Sequence, residues 1–434
     1  MNKELYAIGL DLGTSSVKGV LLSNENKIVA TGSRPFEYIT TTLPNGSKYK
    51  GIDAKVYYST VCSLIKALAE NIPENAKCEG VSMVSASGNT LLCNDEGQPL
   101  IHAYSWTNEE MSEEVFKTFG KGFGDKVSLK AGWQFFNTFP LAHLSHIKVN
   151  APDLLSSASR VCMTTEYLTY RLTGEWGIDY STATPFYLLD QVKREWNKEY
   201  LKVLGIPEGK LPKLYPVGSV IGGLTENSAR DCGLKVGTKV VLGSFDHPGA
   251  ARALGVTKEG DLLISCGTSW VCFTPMKNRD EILNGKMLCD PFNSPNGEWA
   301  GMQSLTRFAE RINEITEKYI SNGKDKFDLL EKYSENSVSG AEGLSFNPRE
   351  ELPDLSNQKK ENIARALMEG TARALKEHFN GKQFKKVAMA GGPSESRMWR
   401  KVFSEILGVE VVCEYGGNSG AVGAAKYVFE SVKK

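Results

Sequence analysis

The sequence predicts an α/β protein built as two related halves, each a mixed sheet flanked by helices, and three observations carry that prediction. A chain of 434 residues exceeds what one compact core accommodates and suggests two domains. Apolar runs of strand length, bounded by turns, alternate with segments of helical period. A strand–turn–strand unit also occurs twice: "DLGTSSV" (Asp11 to Val17) follows the apolar "YAIGL", and "SCGTSWV" (Ser265 to Val271) follows "DLLI". Glycine lets such a turn close tightly, while the amide and hydroxyl groups beside it point outward and suit phosphate oxygens. For either copy alone an ordinary hairpin turn is the simpler reading, so the surroundings decide.

Taken in order, "YAIGL", "VKGVLL" and "KIVATG" read as a β-meander. In "AKVYYSTVCSLIKALAEN" the residues Val56, Ser59, Leu64, Ile65 and Leu68 recur at helical spacing, and "GVSMVSA" (Gly80 to Ala86) is the next strand. From about Ala131 to Thr225 the pattern is less regular and aromatic-rich, with a Pro-terminated helix in "WNKEYLKVLGIP"; an insertion packed beside the first sheet is expected. After the strand "VVLGS" (Val240 to Ser244) and "DHPGAARALGV", the opening pattern returns as "GDLLISC", the second turn and "WVCFTP". "WAGMQSLTRFAERINEI" and "FDLLEKY" predict helices. "ENIARALMEGTARALKEHF" is the strongest helix, with Ile363, Ala366, Leu367, Gly370, Ala374 and Leu375 in one stripe and Arg365 and Glu369 as an i,i+4 pair on its flank. "KKVAMAGG" is a strand ending in two glycines, "SRMWRKVFSEILG" a helix closed by Gly408, "VEVVCE" a strand, and "GNSGAVGAAKYVF" a Gly/Ala-rich helix start. Halves hinged near residues 245–256 would set the two turns on facing walls of one cleft, gripping one polyphosphate.

Composition narrows the partners. Lys plus Arg equals Asp plus Glu at 51 each, so no bulk basic field exists for nucleic acid or an anionic membrane. The nine cysteines include no C-x-x-C pair and their count is odd, which suits a reduced cytoplasmic protein. Of the five histidines only His143 and His146 are close, without cysteine or acidic partners at ligand spacing, which argues against zinc. The N-terminal apolar run soon meets Asp11, so it reads as a strand rather than a signal peptide, and no window approaches 18 uncharged apolar residues. The P-loop, protein-kinase, G-x-S-x-G and H-E-x-x-H signatures are all missing.

Seven stretches together carry a specific resemblance: "GLDLGTSSVKGVLL", "YRLTGEWGIDYSTAT", "VLGSFDHPGAARALG", "LLISCGTSW", "GAEGLSFNP", "ARALMEG" and "GGPSESRMWRKVFSEILGVEV". In this order they resemble the FGGY family of carbohydrate kinases over nearly the whole chain. The resemblance implies two actin-like, ribonuclease H-like domains, 1–247 and 248–434, each a mixed five-stranded sheet flanked by helices, with an interdomain cleft. It implies ATP and Mg²⁺ as cofactors, a small ketose or polyol as acceptor, and closure of the lobes to keep water from the transferred phosphoryl group. A homodimer would be unsurprising for the family, and no segment of the sequence marks an interface.

Residue by residue, Asp11 matches the carboxylate that holds Mg²⁺, and Gly13, Thr14, Ser15 and Lys18 would line the β- and γ-phosphates, although Lys18 also reads as a solvated strand lysine. Asp246 in "GSFDHPG" matches the catalytic base that accepts the acceptor hydroxyl's proton; a helix N-cap ahead of Pro248 is the alternative, and both roles are compatible. Gly267 and Thr268 match the second phosphate turn. Gly391 and Gly392 would let side-chain-free backbone approach the nucleotide, and Ser396 lies where the family contacts the adenine end, whereas Trp399 reads as core.

The acceptor side departs from the family's commoner members. "SASGNT" (Ser85 to Thr90) has Ser87 and Gly88 in place of Met-His, and "WTNEE" keeps Trp106 but has Asn108 for an Asp and Glu110 for an Arg. Asn89, Trp106, Asn108 and Asp246 are the expected acceptor contacts, with ordinary core packing the alternative for Trp106. These altered loops also motivate a second reading, a catalytically weak sugar- or nucleotide-sensing protein. Retention of Asp11, Lys18, Asp246 and Thr268 together argues against it.

Overall fold

The computed structural model describes residues 4–267, 270–292, 298–379 and 381–432. They form two compact units: Met1–Ala253, Asn278–Trp299 and Gly420–Lys434 make unit 1, and Leu254–Lys277 with Ala300–Ser419 make unit 2. The expected division, 1–247 and 248–434, follows the chain linearly; the compact units instead assign the last helix and residues 278–299 to unit 1.

Unit 1 is built on β1 (Leu5–Leu12), β2 (Ser16–Ser23), β3 (Ile28–Pro35), β4 (Lys77–Ser85), β5 (Val220–Gly223) and β6 (Lys239–Phe245), in the order β5-β6-β4-β1-β2-β3. β1, β4 and β6 run parallel, and β2, β3 and β5 join antiparallel. The sheet thus holds six strands rather than the expected five. The addition is the edge strand β5, which folds back on β6 through a register shift between Val220 and Gly222.

Strand alternation divides the two faces of β1. Tyr6, Ile8, Leu10 and Leu12 point into a core shared with Tyr57, Val61, Leu64 and Leu68 of α1 (Ala54–Ala69). That helix begins at Asp53, whose carboxylate accepts from the N–H groups of Lys55 and Val56. Val56, expected on its apolar stripe, is 59% exposed, because Tyr57 and Tyr58 take the inward positions. On the opposite face, a Cβ at Gly9 would lie 1.9 Å from the carbonyl oxygen of Ala421, so the final helix (Ser419–Val432) rests directly on β1. The irregular middle of the chain belongs to unit 1; its helix α2 (Thr164–Thr173) and short turn α3 (Tyr180–Ala183) precede α4 (Asp246–Ala253).

In unit 2, β7 (Asp261–Cys266), β8 (Trp270–Met276), β9 (Trp299–Ser304), β10 (Lys386–Gly391) and β11 (Val411–Val412) run in the order β9-β8-β7-β10-β11. The β7–β8 hairpin flanked by parallel β10 repeats the β1–β2 hairpin flanked by parallel β4. The segment expected to be helical from Trp299 opens as β9 and turns helical only at α5 (Phe308–Tyr319). Helix α6 (Lys360–His378) fits its prediction, and Arg365 and Glu369 form the expected i,i+4 pair at 2.7 Å. Both side chains are 2% exposed, with Glu405 and Arg373 completing the ionic cluster. Helix α7 (Arg397–Leu407) ends at Gly408 in the left-handed region and buries Trp399 edge-on against Trp270, confirming the core reading of that tryptophan. The final helix is α8 hereafter.

Candidate active site

The parallel strands of unit 1 end together. Leu12 pairs with Ser85, and Ser85 pairs with Phe245, so the residues that follow β1, β4 and β6 emerge at one sheet edge. Ligands of α/β sheets gather at such carboxyl ends. The sheet closes this tightly because Gly243 has no side chain: a Cβ there would lie 2.0 Å from the Met83 carbonyl oxygen.

Asp11 lies opposite Lys18 across the β1–β2 hairpin and on the α8 face of the sheet. A Cβ at Gly420 would come within 2.4 Å of its Oδ2, so the first turn of α8 passes directly over the carboxylate. Burial and the nearby Asp246 push the Asp11 carboxyl up to about 7, against the pull of Lys18. Gly13 closes the hairpin through its N–H to the Ser16 carbonyl (3.1 Å), and the Thr14 carbonyl accepts from the Tyr38 hydroxyl at 2.6 Å. Ser15 at the tip is exposed.

Gly13 and Thr14, Tyr38, Ser87, Asn89 and Trp106 help line one narrow recess with a free volume of about 20 Å³, room for little more than a water molecule. The structure therefore brings the first turn together with two of the expected acceptor residues. Trp106 stacks on Phe139 at 6.3 Å with one face in the recess. Asn89 is 7% exposed and grips the start of α2 in both directions, accepting from the Thr164 N–H (2.7 Å) and donating to the Thr164 hydroxyl (2.9 Å). Asn108 is elsewhere. Its amide is used by backbone, accepting from Lys50 N–H (2.7 Å) and donating to the Lys50 and Ser105 carbonyls, so it ties down a strand and does not line this recess. Sequence reasoning passed over Ser87 as a contact. It stands at φ +57° beside Gly88 at φ +77°, an unusual pair that turns the loop inward.

Asp246 is the first residue of α4, immediately after β6. Its carboxylate is 27% exposed, and Oδ1 accepts only from the adjacent His247 N–H at 2.7 Å; Asp246 occupies the first helical position, so the N-cap alternative, a bond to the N–H two or three residues on, is not seen. Behind it, Ser181 of α3 accepts from the Phe245 N–H (3.1 Å) and donates to Asp290 (2.7 Å), while the Thr182 carbonyl accepts from Ser87. Burial pushes Asp290 up to about 8, opposed by the Ser181 hydrogen bond and reinforced by Asp179 and Asp246. Ser181 falls within the quoted stretch "YRLTGEWGIDYSTAT", but no spacing links it to Asp290, a lone aspartate without a pattern of its own.

Unit 2 assembles its own cluster. Cys266 pairs with Gly391, which places Gly267 and the Gly391–Gly392 pair at the carboxyl ends of β7 and β10. Gly391 stands at φ +94°, and a Cβ there would lie 2.3 Å from the Cys266 carbonyl oxygen; Gly392 faces open space. Ser396 caps α7, accepting from the Trp399 N–H at 3.2 Å. Thr268 lies outside the described residues.

Among the described residues no three His, Cys, Asp or Glu side chains cluster as a metal cage. His146 does have an acidic partner, Glu114 at 3.0 Å, brought from another helix. One hard carboxylate, Asp11, beside a phosphate-compatible turn fits Mg²⁺, which is held by one or two carboxylates together with substrate phosphates. No helix among the described residues is long and apolar enough to cross a membrane.

Residues 6–253 match the N-terminal domain of the FGGY family of carbohydrate kinases, and residues 349–428 match its C-terminal domain. The chain is 24% identical to a gluconokinase of Bacillus subtilis over 96% of this chain and 86% of that one. It is 25% identical to a xylulose kinase of the same organism, covering 97% and 87%. Its fold matches the crystal structure of gluconate kinase from Lactobacillus acidophilus with a TM-score of 0.83 at 21% identity, covering 99% of this chain and 90% of that one.

Proposed function

Because this chain belongs to the FGGY family of carbohydrate kinases, enzymes that phosphorylate sugars with ATP, we propose that it transfers the γ-phosphoryl group of ATP to a hydroxyl of a small neutral ketose or polyol, with Asp246 as general base. The observation that carries this reading is the convergence of Asp11, the Gly13–Thr14 turn, the Ser87–Asn89 loop and Asp246 at the carboxyl ends of three parallel strands. In the proposed reaction the acceptor binds between Trp106 and Asp246, and the narrow recess must open to admit it. Asp246 accepts the proton of the attacking hydroxyl as the new oxygen–phosphorus bond forms, and ADP leaves. Asp11 would hold Mg²⁺, which when bound neutralises charge on the terminal phosphates. Backbone and hydroxyl groups of Gly13, Thr14 and Ser15 would donate to the transferring group, with Lys18 adding a fixed positive charge. Gly267, Thr268, Gly391, Gly392 and Ser396 are proposed to hold the nucleotide from unit 2. The recess residues named above are all uncharged, which supports a neutral acceptor over an acid.

The test is ADP release with Mg²⁺-ATP against pentuloses, hexuloses, heptuloses, polyols and gluconate, beside the Asp246→Ala variant. Sugar-dependent turnover that falls at least 10²-fold in the variant is expected. Nucleotide binding without sugar-dependent turnover by the parent chain would favour the sensing reading instead.

A further inference from the structure

We propose that Ser181 and Asp290 are positioning residues for the base: the Asp290–Ser181 pair fixes the last peptide of β6 and thereby the reach of the Asp246 carboxylate. The inference rests on the reading of Asp246 given above. Its geometry is independent of that reading.

Phe245 is the residue before Asp246, and the β6 ladder shifts register between Leu242 and Phe245. Its N–H goes to the Ser181 hydroxyl oxygen at 3.1 Å. Ser181 is fully buried and has one proton to give. With its oxygen accepting from Phe245, that proton points to Asp290 Oδ2 at 2.7 Å. The order of donors is therefore fixed, from peptide to hydroxyl to carboxyl. Neither partner is replaceable by water, because Ser181 and Asp290 are both 0% exposed.

Asp290 is an expensive residue for the task. Among the described residues its Oδ1 is buried without a hydrogen-bond partner, so there the Ser181 contact alone offsets the burial of the carboxyl group. An apolar residue would be the cheaper core filling. The same turn that presents Ser181 is pinned by Asp179, which accepts from the Thr182 N–H at 2.8 Å. The Thr182 carbonyl in turn accepts from Ser87 of the recess loop at 3.2 Å. One short turn thus ties the loop that lines the acceptor recess to the strand that carries the base. A displacement of the base of order 1 Å is enough to cost about 10²-fold in rate without altering what binds.

Steady-state kinetics of the full chain test this with Ser181→Ala, Asp290→Leu, Asp290→Asn, the Ser181→Ala/Asp290→Leu double variant and Asp246→Asn. Ser181→Ala and Asp290→Leu are expected to lower kcat roughly 10- to 10²-fold, with acceptor KM and ATP affinity within about twofold. Asp290→Asn, which keeps an acceptor for the Ser181 proton, should retain most of kcat, and the double variant should be no worse than the more severe single one. Unchanged kcat in Ser181→Ala, additive losses, or equal losses in Asp290→Asn and Asp290→Leu would overturn the inference. If Asp246→Asn abolishes turnover while the Ser181 and Asp290 variants are silent, only this inference fails. If Asp246→Asn retains turnover, the base assignment fails first and the positioning role falls with it. Should Asp290→Leu not fold, Ser181→Ala and Asp290→Asn decide alone.

Discussion

At the scale of single residues, several carboxyl groups of unit 1 are held where ionisation is costly, and Glu166 shows the consequence most cleanly because it lies outside the proposed chemistry. It sits in the first turn of α2, 1% exposed, with Oε2 accepting from the Met163 N–H at 2.7 Å and Oε1 buried without a partner. Burial pushes it up to about 8, opposed by the Met163 hydrogen bond and reinforced by Asp179. Between the ordinary carboxyl range and pH 8 the folded protein therefore keeps a proton that the unfolded chain has released. Unfolding free energy must fall as pH rises through that window, by about 1.4 kcal/mol per pH unit for one such group. Glu166→Gln keeps the shape and the acceptor for Met163 but removes the titration. Its stability relative to the parent should climb from pH 5 to pH 8 and then level off, read as the difference in Tm at pH 5, 6.5 and 8.5. A difference that does not change with pH would mean that Glu166 does not hold its proton in the folded state.

At the scale of elements, α8 is the piece that shapes the proposed metal end of the site, and its sequence shows how. Gly9, Gly420 and Gly423 bring helix backbone against β1, Asp11 and α4 without side chains between them. A Cβ at Gly423 would stand 1.9 Å from the Gly249 carbonyl oxygen, and backbone on both sides leaves nothing to give way. Gly423→Ala should cost about 1–3 kcal/mol of stability by thermal or denaturant unfolding. Gly392→Ala is the counterpart in unit 2. A Cβ there meets nothing within 4 Å, so Tm should be unchanged while ATP affinity falls if backbone approaches the nucleotide at this position. A loss of stability in Gly392→Ala, or unaltered ATP affinity, would remove Gly392 from the proposed nucleotide contacts. The contrast also marks what was legible in sequence. Hairpins, the α6 stripe, the strand ending at Gly391 and the cap at Gly408 follow from period and turn chemistry, which are local. The burial of Arg365 and Glu369 is only partly local: Arg373 sits one turn on in the same helix, but Glu405 arrives from α7. The roles proposed for Asp11 and Asp246 come from a family pattern, whereas the one proposed for Ser181 and Asp290 lies in a hydrogen-bonded chain across 109 residues of sequence, which no local pattern displays. For Asn108 a polar loop residue near an aromatic suggests a contact, and the sequence does not show that its amide is already bonded to backbone.

At the scale of the whole molecule, the chain leaves unit 1 after Ala253, returns for Asn278–Trp299, and returns again at Gly420. The later visits supply parts the first 253 residues cannot replace. α8 covers the β1 face at Gly9 and Asp11, and Val428 packs over Gly80 of β4. The 278–299 segment brings Asp290 to Ser181, and its Cys289 carbonyl accepts from the indole N–H of Trp133 at 3.1 Å and from the Gln191 amide at 2.9 Å. A fragment of residues 1–253 would uncover the part of the sheet face on which α8 rests and leave the buried indole of Trp133 and the Ser181 hydroxyl without their partners. Each lost burial of a large apolar side chain costs about 1.5–3 kcal/mol, and a domain's net stability is only about 5–15 kcal/mol. The fragment should therefore lack a cooperative thermal transition, although it contains the whole matched N-terminal family domain, residues 6–253. Calorimetry or near-ultraviolet circular dichroism of the fragment beside the full chain checks this. A cooperative transition in the fragment close to that of the full chain would mean that β1 and its neighbours fold independently of α8 and of Asp290. The sheet edge carrying Asp11 and Asp246 would then be a property of the first 253 residues alone, rather than of a unit completed by three separate passes of the chain.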